Sequence, residues 1–129
     1  MLVAFLVMFV VNGVMAALVI GPLLEHRYGE VVATRARPAP LVAGYLLIAA
    51  AVTVVHHLAA VGADRRRALL LGVCMGLAIF AGTHAVQAGY TTINPGGWIL
   101  SGVADAVGPT AAMVALSVLA GRTGAPARA

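Results

Sequence analysis

LVAFLVMFVVNGVMAALVIGPLL, residues 2–24, runs for 23 residues without a charged side chain. As an α-helix rising 1.5 Å per residue it would cover roughly 34 Å, against a bilayer hydrocarbon core of about 30 Å. A membrane-crossing strand is about half that length and alternates in polarity, and this segment does not alternate. Three more runs share its character, at about residues 41–61, 68–90 and 98–119. Four transmembrane helices are therefore expected, each satisfying its backbone groups internally. Short connections make consecutive helices antiparallel neighbours, so the expected fold is an all-α, up-down-up-down four-helix bundle. It forms one domain over residues 1–121, with a flexible tail at 122–129. The first run has no basic segment before it and is too long for a signal-peptide core, so it reads as a retained span.

The composition agrees. Of 129 residues, 62% are hydrophobic and 9% charged, whereas soluble domains average roughly 45–50% and about 25%. An ordinary soluble domain and a disordered chain are both excluded. Aromatics supply only 5%, so the apolar mass is Ala, Val, Leu and Gly. The single cysteine, Cys74, excludes an internal disulfide and any multi-cysteine metal site. No residue-level repeat is present.

Eight arginines and no lysine carry the net charge of +4. Arg65, Arg66 and Arg67 form the only charge run, read here as a topology signal in a tight turn spanning Gly62–Arg67. A nucleic-acid partner would need a basic stripe with stacking aromatics, which is lacking. The side of the N-terminus receives Arg65, Arg66, Arg67, Arg122 and Arg128; the opposite side receives Arg27, Arg35 and Arg37. Five against three places both termini on the cytoplasmic side of a bacterial cytoplasmic membrane. Tyr90 and Trp98 bracket the third connection, Thr91–Gly97, whose Asn-Pro-Gly-Gly is a strong breaker.

Packing signals concentrate in the last two spans. Span three carries Gly72-xxx-Gly76 and then Ala81-xxx-Ala85-xxx-Gly89; span four carries Ala104-xxx-Gly108-xxx-Ala112. Small residues four apart form a flat stripe that lets backbones approach closely, so spans three and four are expected to touch. The same face of span three offers itself to a second copy or to another membrane protein. Pro109 cannot donate to the carbonyl of Asp105, which predicts a kink near Gly108–Pro109. Gly21–Pro22 does the same near the end of span one.

Ionisable and amide groups at membrane depth are costly and usually face the bundle interior. His84 lies six residues before Tyr90, roughly 9 Å deep, and Asp105 seven residues after Trp98, roughly 10 Å deep, from the same side. Phe80, His84, Gln87 and Thr91 share one face of span three; Ser101, Asp105, Gly108 and Ala112 share one face of span four. A polar cluster of His84, Gln87, Ser101 and Asp105 follows, with Asn12 reaching its inner edge from span one. An Asp–His pair can hold or relay a proton. The competing reading is a structural tie between the two spans, with Ser101 also satisfying Asp105.

His56 and His57 sit near the other membrane face, more than about 10 Å from the level of His84, so a haem held by two histidines on spans two and three is disfavoured. Adjacent histidines point about 100° apart and do not share a metal. One is expected to face the bundle near Thr53 and the other the headgroups. No metal and no cofactor is expected. Phosphate-loop, HExxH and Ser–His–Asp signatures are all missing.

The order Gly76-Leu-Ala-Ile-Phe-Ala-Gly-Thr-His84, then Trp98, then Asp105 with Gly108, resembles an uncharacterised family of small four-span bacterial membrane proteins. That family carries Gly-Thr-Tyr-Asp in its third span, an Asp before a Gly in its fourth and an Asp in its first. Gly82, Thr83 and Asp105 match; His84 stands for the Tyr, Ala85 for the Asp, and Asn12 for the first-span acid. The resemblance covers nearly the whole chain and implies the four-span architecture. The family's activity is unassigned.

Three functional classes follow: a protein that binds or transports a small molecule or proton through the His84–Asp105 cluster; a non-catalytic accessory subunit packing through span three; and an enzyme of lipid or quinone chemistry. Low charge and the lack of a soluble domain weigh against the third.

Overall fold

The computed structural model describes residues 1–22, 38–90 and 95–124, and these are helices joined by turns. Span one is α1 (Leu2–Met15) continued by a π-helical turn, Ala16–Ile20. Span two lies within α2 (Pro38–Leu58). Span three is α3 (Arg65–Gly76), a second π-helical turn (Leu77–Ala81) and α4 (Gly82–Tyr90). Span four is α5 (Pro95–Asp105) and α6 (Val107–Arg122). Four helices are long and apolar enough to cross a membrane: Leu2–Ile20, Leu41–Leu58, Arg65–Gly89 and Pro95–Arg122. Large apolar side chains such as Leu6, Leu18, Leu47 and Val86 cover the outside. In water each such side chain left exposed would forgo about 1.5–3 kcal/mol of burial.

The boundaries differ from the sequence reading at the starts of spans three and four and at both ends of span two. Arg65, Arg66 and Arg67 are not loop residues. They form the first turn of α3, because Asp64 caps that helix by accepting the Arg67 backbone N–H at 3.0 Å. Pro95, Gly96 and Gly97 likewise open α5 instead of breaking the chain, since a proline in the first turn removes only a donor that has no helical acceptor. Span two ends at Leu58, in a turn where Val61 N–H bonds the His56 carbonyl and Ala60 N–H the His57 carbonyl, each at 3.1 Å. This is a Schellman motif with Ala60, φ 49°, where glycine is usual. Leu23, Leu24, Arg27, Arg35, Arg37, Thr91 and Arg128 lie outside the described residues.

Span four is the hub. It packs closely against spans one and three and also against span two, whereas spans two and three, consecutive in sequence, barely meet. The reason is visible at the glycines. A β-carbon on Gly72 would stand 2.7 Å from the Thr110 Cα, and one on Gly76 2.5 Å from the Ala106 carbonyl oxygen. The small residues of span three are thus filled by span four. The stripe on span four does not face them in return: Gly108 receives Asn12 of span one, and Ala104, like Trp98, packs against Ile20 of span one. Span three instead rests on Gly102, Ala106, Thr110 and Met113. Ala112 joins the buried core of Ala4, Met8, Ala49, Val52 and Met113. Ala81 meets Gly102, while Ala85 and Gly89 are exposed.

The helix of span four is interrupted at Ala106, one turn before Pro109. Ala106 shares its N–H between the carbonyls of Gly102 and Val103, both at 3.2 Å. The π-turn of span one closes with Gly21 N–H on the Ala16 carbonyl, just before Pro22. That of span three closes with Gly82 N–H on the Leu77 carbonyl. Both π-turns lie against α5.

Candidate functional site

Hydroxyl groups inside an apolar helix are cheapest when they bond back to the preceding turn. Thr53, Thr110 and Ser117 do so, at 2.7, 2.9 and 2.8 Å. Ser101 does the same, donating to the Trp98 carbonyl at 2.7 Å. Its proton is therefore given to the Trp98 carbonyl and not to Asp105, unlike the bond that the structural-tie reading supposes. Thr83 bonds the carbonyls of Ile79 and Phe80.

His84 lies on the neighbouring helix with its ring over Gly102. A β-carbon there would stand 2.9 Å from the His84 Cγ, so only glycine admits the ring at this level. Nδ1 of His84 is 2.8 Å from the Phe80 carbonyl oxygen. A carbonyl only accepts, so Nδ1 donates, and in the neutral ring Nε2 is the acceptor. The ring also lies against Trp98, with centroids 4.9 Å apart at 42°. The Trp98 indole donates in turn to Gln87 at 3.2 Å. Gln87 is thus an exposed clamp across spans three and four, connected to His84 through the indole.

Asp105, half-buried, interacts electrostatically with His84 and with the Tyr45 phenol of span two. No ion pair joins it to His84 among the described residues. Tyr45 also approaches Asn12 and meets Phe9 edge-on, with ring centroids 5.7 Å apart. Asn12 is 0% exposed, and its amide atoms make no hydrogen bond of good geometry, the Tyr45 hydroxyl being its near polar neighbour. The site therefore draws one polar group from each helix: Asn12, Tyr45, His84 and Asp105. Sequence reasoning missed Tyr45 and Gly102. Tyr45 is four residues, about 6 Å, inside the start of span two, close to the level assigned to His84. Gly102 precedes Asp105 by three residues and so shares its helix face.

The remaining candidates stand apart. His57 is exposed and His56 half-buried with Nε2 unpartnered, both at the opposite end of span two from Tyr45. Cys74 is exposed. Among the described residues no group of three or more His, Cys, Asp or Glu is placed to hold a metal. A shallow apolar groove of about 510 Å³ runs along the outer side of span three past Ala78, Gly82, Thr83, Val86 and Gln87.

Compared with known proteins, the chain matches no family model, no curated protein and no solved structure.

Proposed function

We propose that this chain is a four-span protein of a bacterial cytoplasmic membrane, with both termini in the cytoplasm, that binds or transports a small polar molecule or proton at the Asn12–Tyr45–His84–Asp105 cluster. The observation that carries the reading is Asn12. A purely structural tie saturates its own polar atoms, because each unmet buried amide atom costs about 1–3 kcal/mol. Asn12 is wholly buried against Gly108 with no hydrogen bond of good geometry to either amide atom; its polar neighbour is the Tyr45 phenol, which also interacts with Asp105, and Asp105 in turn with His84. Such a set offers donors and acceptors to a small guest. The accessory-subunit reading draws less support, since Gly72 and Gly76, the core of its docking stripe, are filled by span four.

Trp98 is the sole tryptophan and touches His84, so its fluorescence reports on the cluster. The test is a titration of the full chain in nanodiscs with small carboxylic acids, amines, polyols and amides, read by Trp98 emission, together with proton flux in liposomes under an imposed pH gradient. The expected result is a saturable response or flux in the parent that Asp105→Asn and His84→Ala abolish while the helical content stays unchanged. Equal responses in parent and variants across the whole panel, with no flux, would overturn the reading.

A further inference from the structure

The arginines at the other end of the molecule form a second constellation. Arg65, Arg66 and Arg67 occupy the first turn of span three and Arg122 the last turn of span four. The two helix ends lie side by side: a β-carbon on Gly121 would stand 3.4 Å from the Cβ of Ala63. All four arginines are exposed, and among the described residues none is engaged in an ion pair. Among the described residues the one carboxylate in the patch, Asp64, is turned back to cap its own helix. Immediately inside this rim, Leu58, Leu69 and Leu70 are 78%, 49% and 58% exposed. Four exposed arginines and three exposed leucines therefore share this end of the helices.

We infer that Arg65, Arg66, Arg67 and Arg122 form a binding site for the phosphate of an anionic phospholipid whose acyl chains lie on Leu58, Leu69 and Leu70. Guanidinium forks match phosphate oxygens in a bidentate way. Three consecutive helical residues fan over about 200°, so one headgroup engages part of the run together with Arg122. The apolar flank favours a lipid over free phosphate, because a soluble anion gains nothing from the leucines. The inference rests on the membrane reading but is independent of the Asn12–Asp105 cluster.

The test uses the full chain in detergent, with lipid binding counted by native mass spectrometry. Phosphatidylglycerol, phosphatidylcholine and inorganic phosphate are the three probes. Phosphatidylglycerol is expected to bind at least about 25-fold tighter than phosphatidylcholine, at roughly fivefold for each of two or more engaged arginines, and to weaken with salt. Arg66→Gln with Arg122→Gln should lose about 25-fold on that scale, while the corresponding lysine pair keeps most of the preference. Equal binding of the two lipids, or a preference untouched by the glutamine pair, overturns the inference. Displacement of phosphatidylglycerol by equimolar inorganic phosphate also overturns it, by assigning the site to a soluble anion. Flotation of the chain with pure phosphatidylcholine vesicles reports membrane insertion separately.

Discussion

The side-chain amide of Asn12 in span one rests directly on the backbone of Gly108 in span four, leaving no room for a β-carbon between them. Neither partner has slack, since both are buried. Gly108→Ala is therefore expected to destabilise the fold by about 1–3 kcal/mol through overpacking, read as a lower midpoint of thermal unfolding in detergent. Adding Asn12→Ala should restore much of the loss. Additive effects in the double variant would show that the two residues do not press on each other.

The unmet amide of Asn12 makes a second prediction. Removing a buried polar group that lacks a hydrogen bond of good geometry relieves its desolvation. Asn12→Ala and Asn12→Leu should each lose no more than about 1 kcal/mol, far less than the 2–5 kcal/mol typical of core truncation, yet both should abolish the Trp98 response to a bound solute. A large stability loss in both variants would mark the amide as a tie between helices.

The glycines of span three should separate into two kinds. At Gly76 a methyl group would run into the Ala106 backbone, so Gly76→Ala should cost about 1–3 kcal/mol. At Gly89 nothing among the described residues lies within 4 Å, and Gly89→Ala should be neutral or stabilising by up to about 1 kcal/mol. Parallel thermal melts decide it. Equal effects would mean that span three does not lean on span four through its lower half.

The turn between spans two and three holds a non-glycine residue, Ala60, in the left-handed region at φ 49°. That conformation costs an L-residue roughly 1–2 kcal/mol. Ala60→Gly should raise the unfolding midpoint, by an amount worth about 1 kcal/mol after the glycine's extra chain entropy is charged against it. An unchanged or lower midpoint would argue that the Schellman turn is not formed in the folded chain.

Four long apolar helices were legible because a 23-residue run such as Leu2–Leu24 leaves few alternatives. The proximity of His84 and Asp105 was legible from depth, since adjacent helices compare levels through the rise per residue. Two things were not. Which face of span four meets which neighbour depends on rotation about the helix axis, and abundant small residues make several rotations look alike; Ala104 and Gly108 thus turned out to serve span one. Local hydrogen bonding was equally hidden. Ser101 looks like a partner for Asp105 in sequence, but its nearest acceptor is the Trp98 carbonyl three residues back. Tyr45 escaped notice because a tyrosine near a span end reads as an interfacial anchor.

The wide turn at Leu77–Ala81 has a rotational meaning. Eight residues separate Gly76 from His84, and at about 100° each a continuous α-helix would set the imidazole roughly 80° round from the glycine face. The π-turn absorbs about one residue's rotation and swings His84 back into line with Gly76, over Gly102. Helical phase, more than side-chain identity, aims this histidine. Deleting any single residue within Leu77–Ala81 should therefore leave an unbroken helix whose imidazole still faces Gly102, at about −20° to Gly76, whereas regularising the turn at unchanged length would carry it about 80° away.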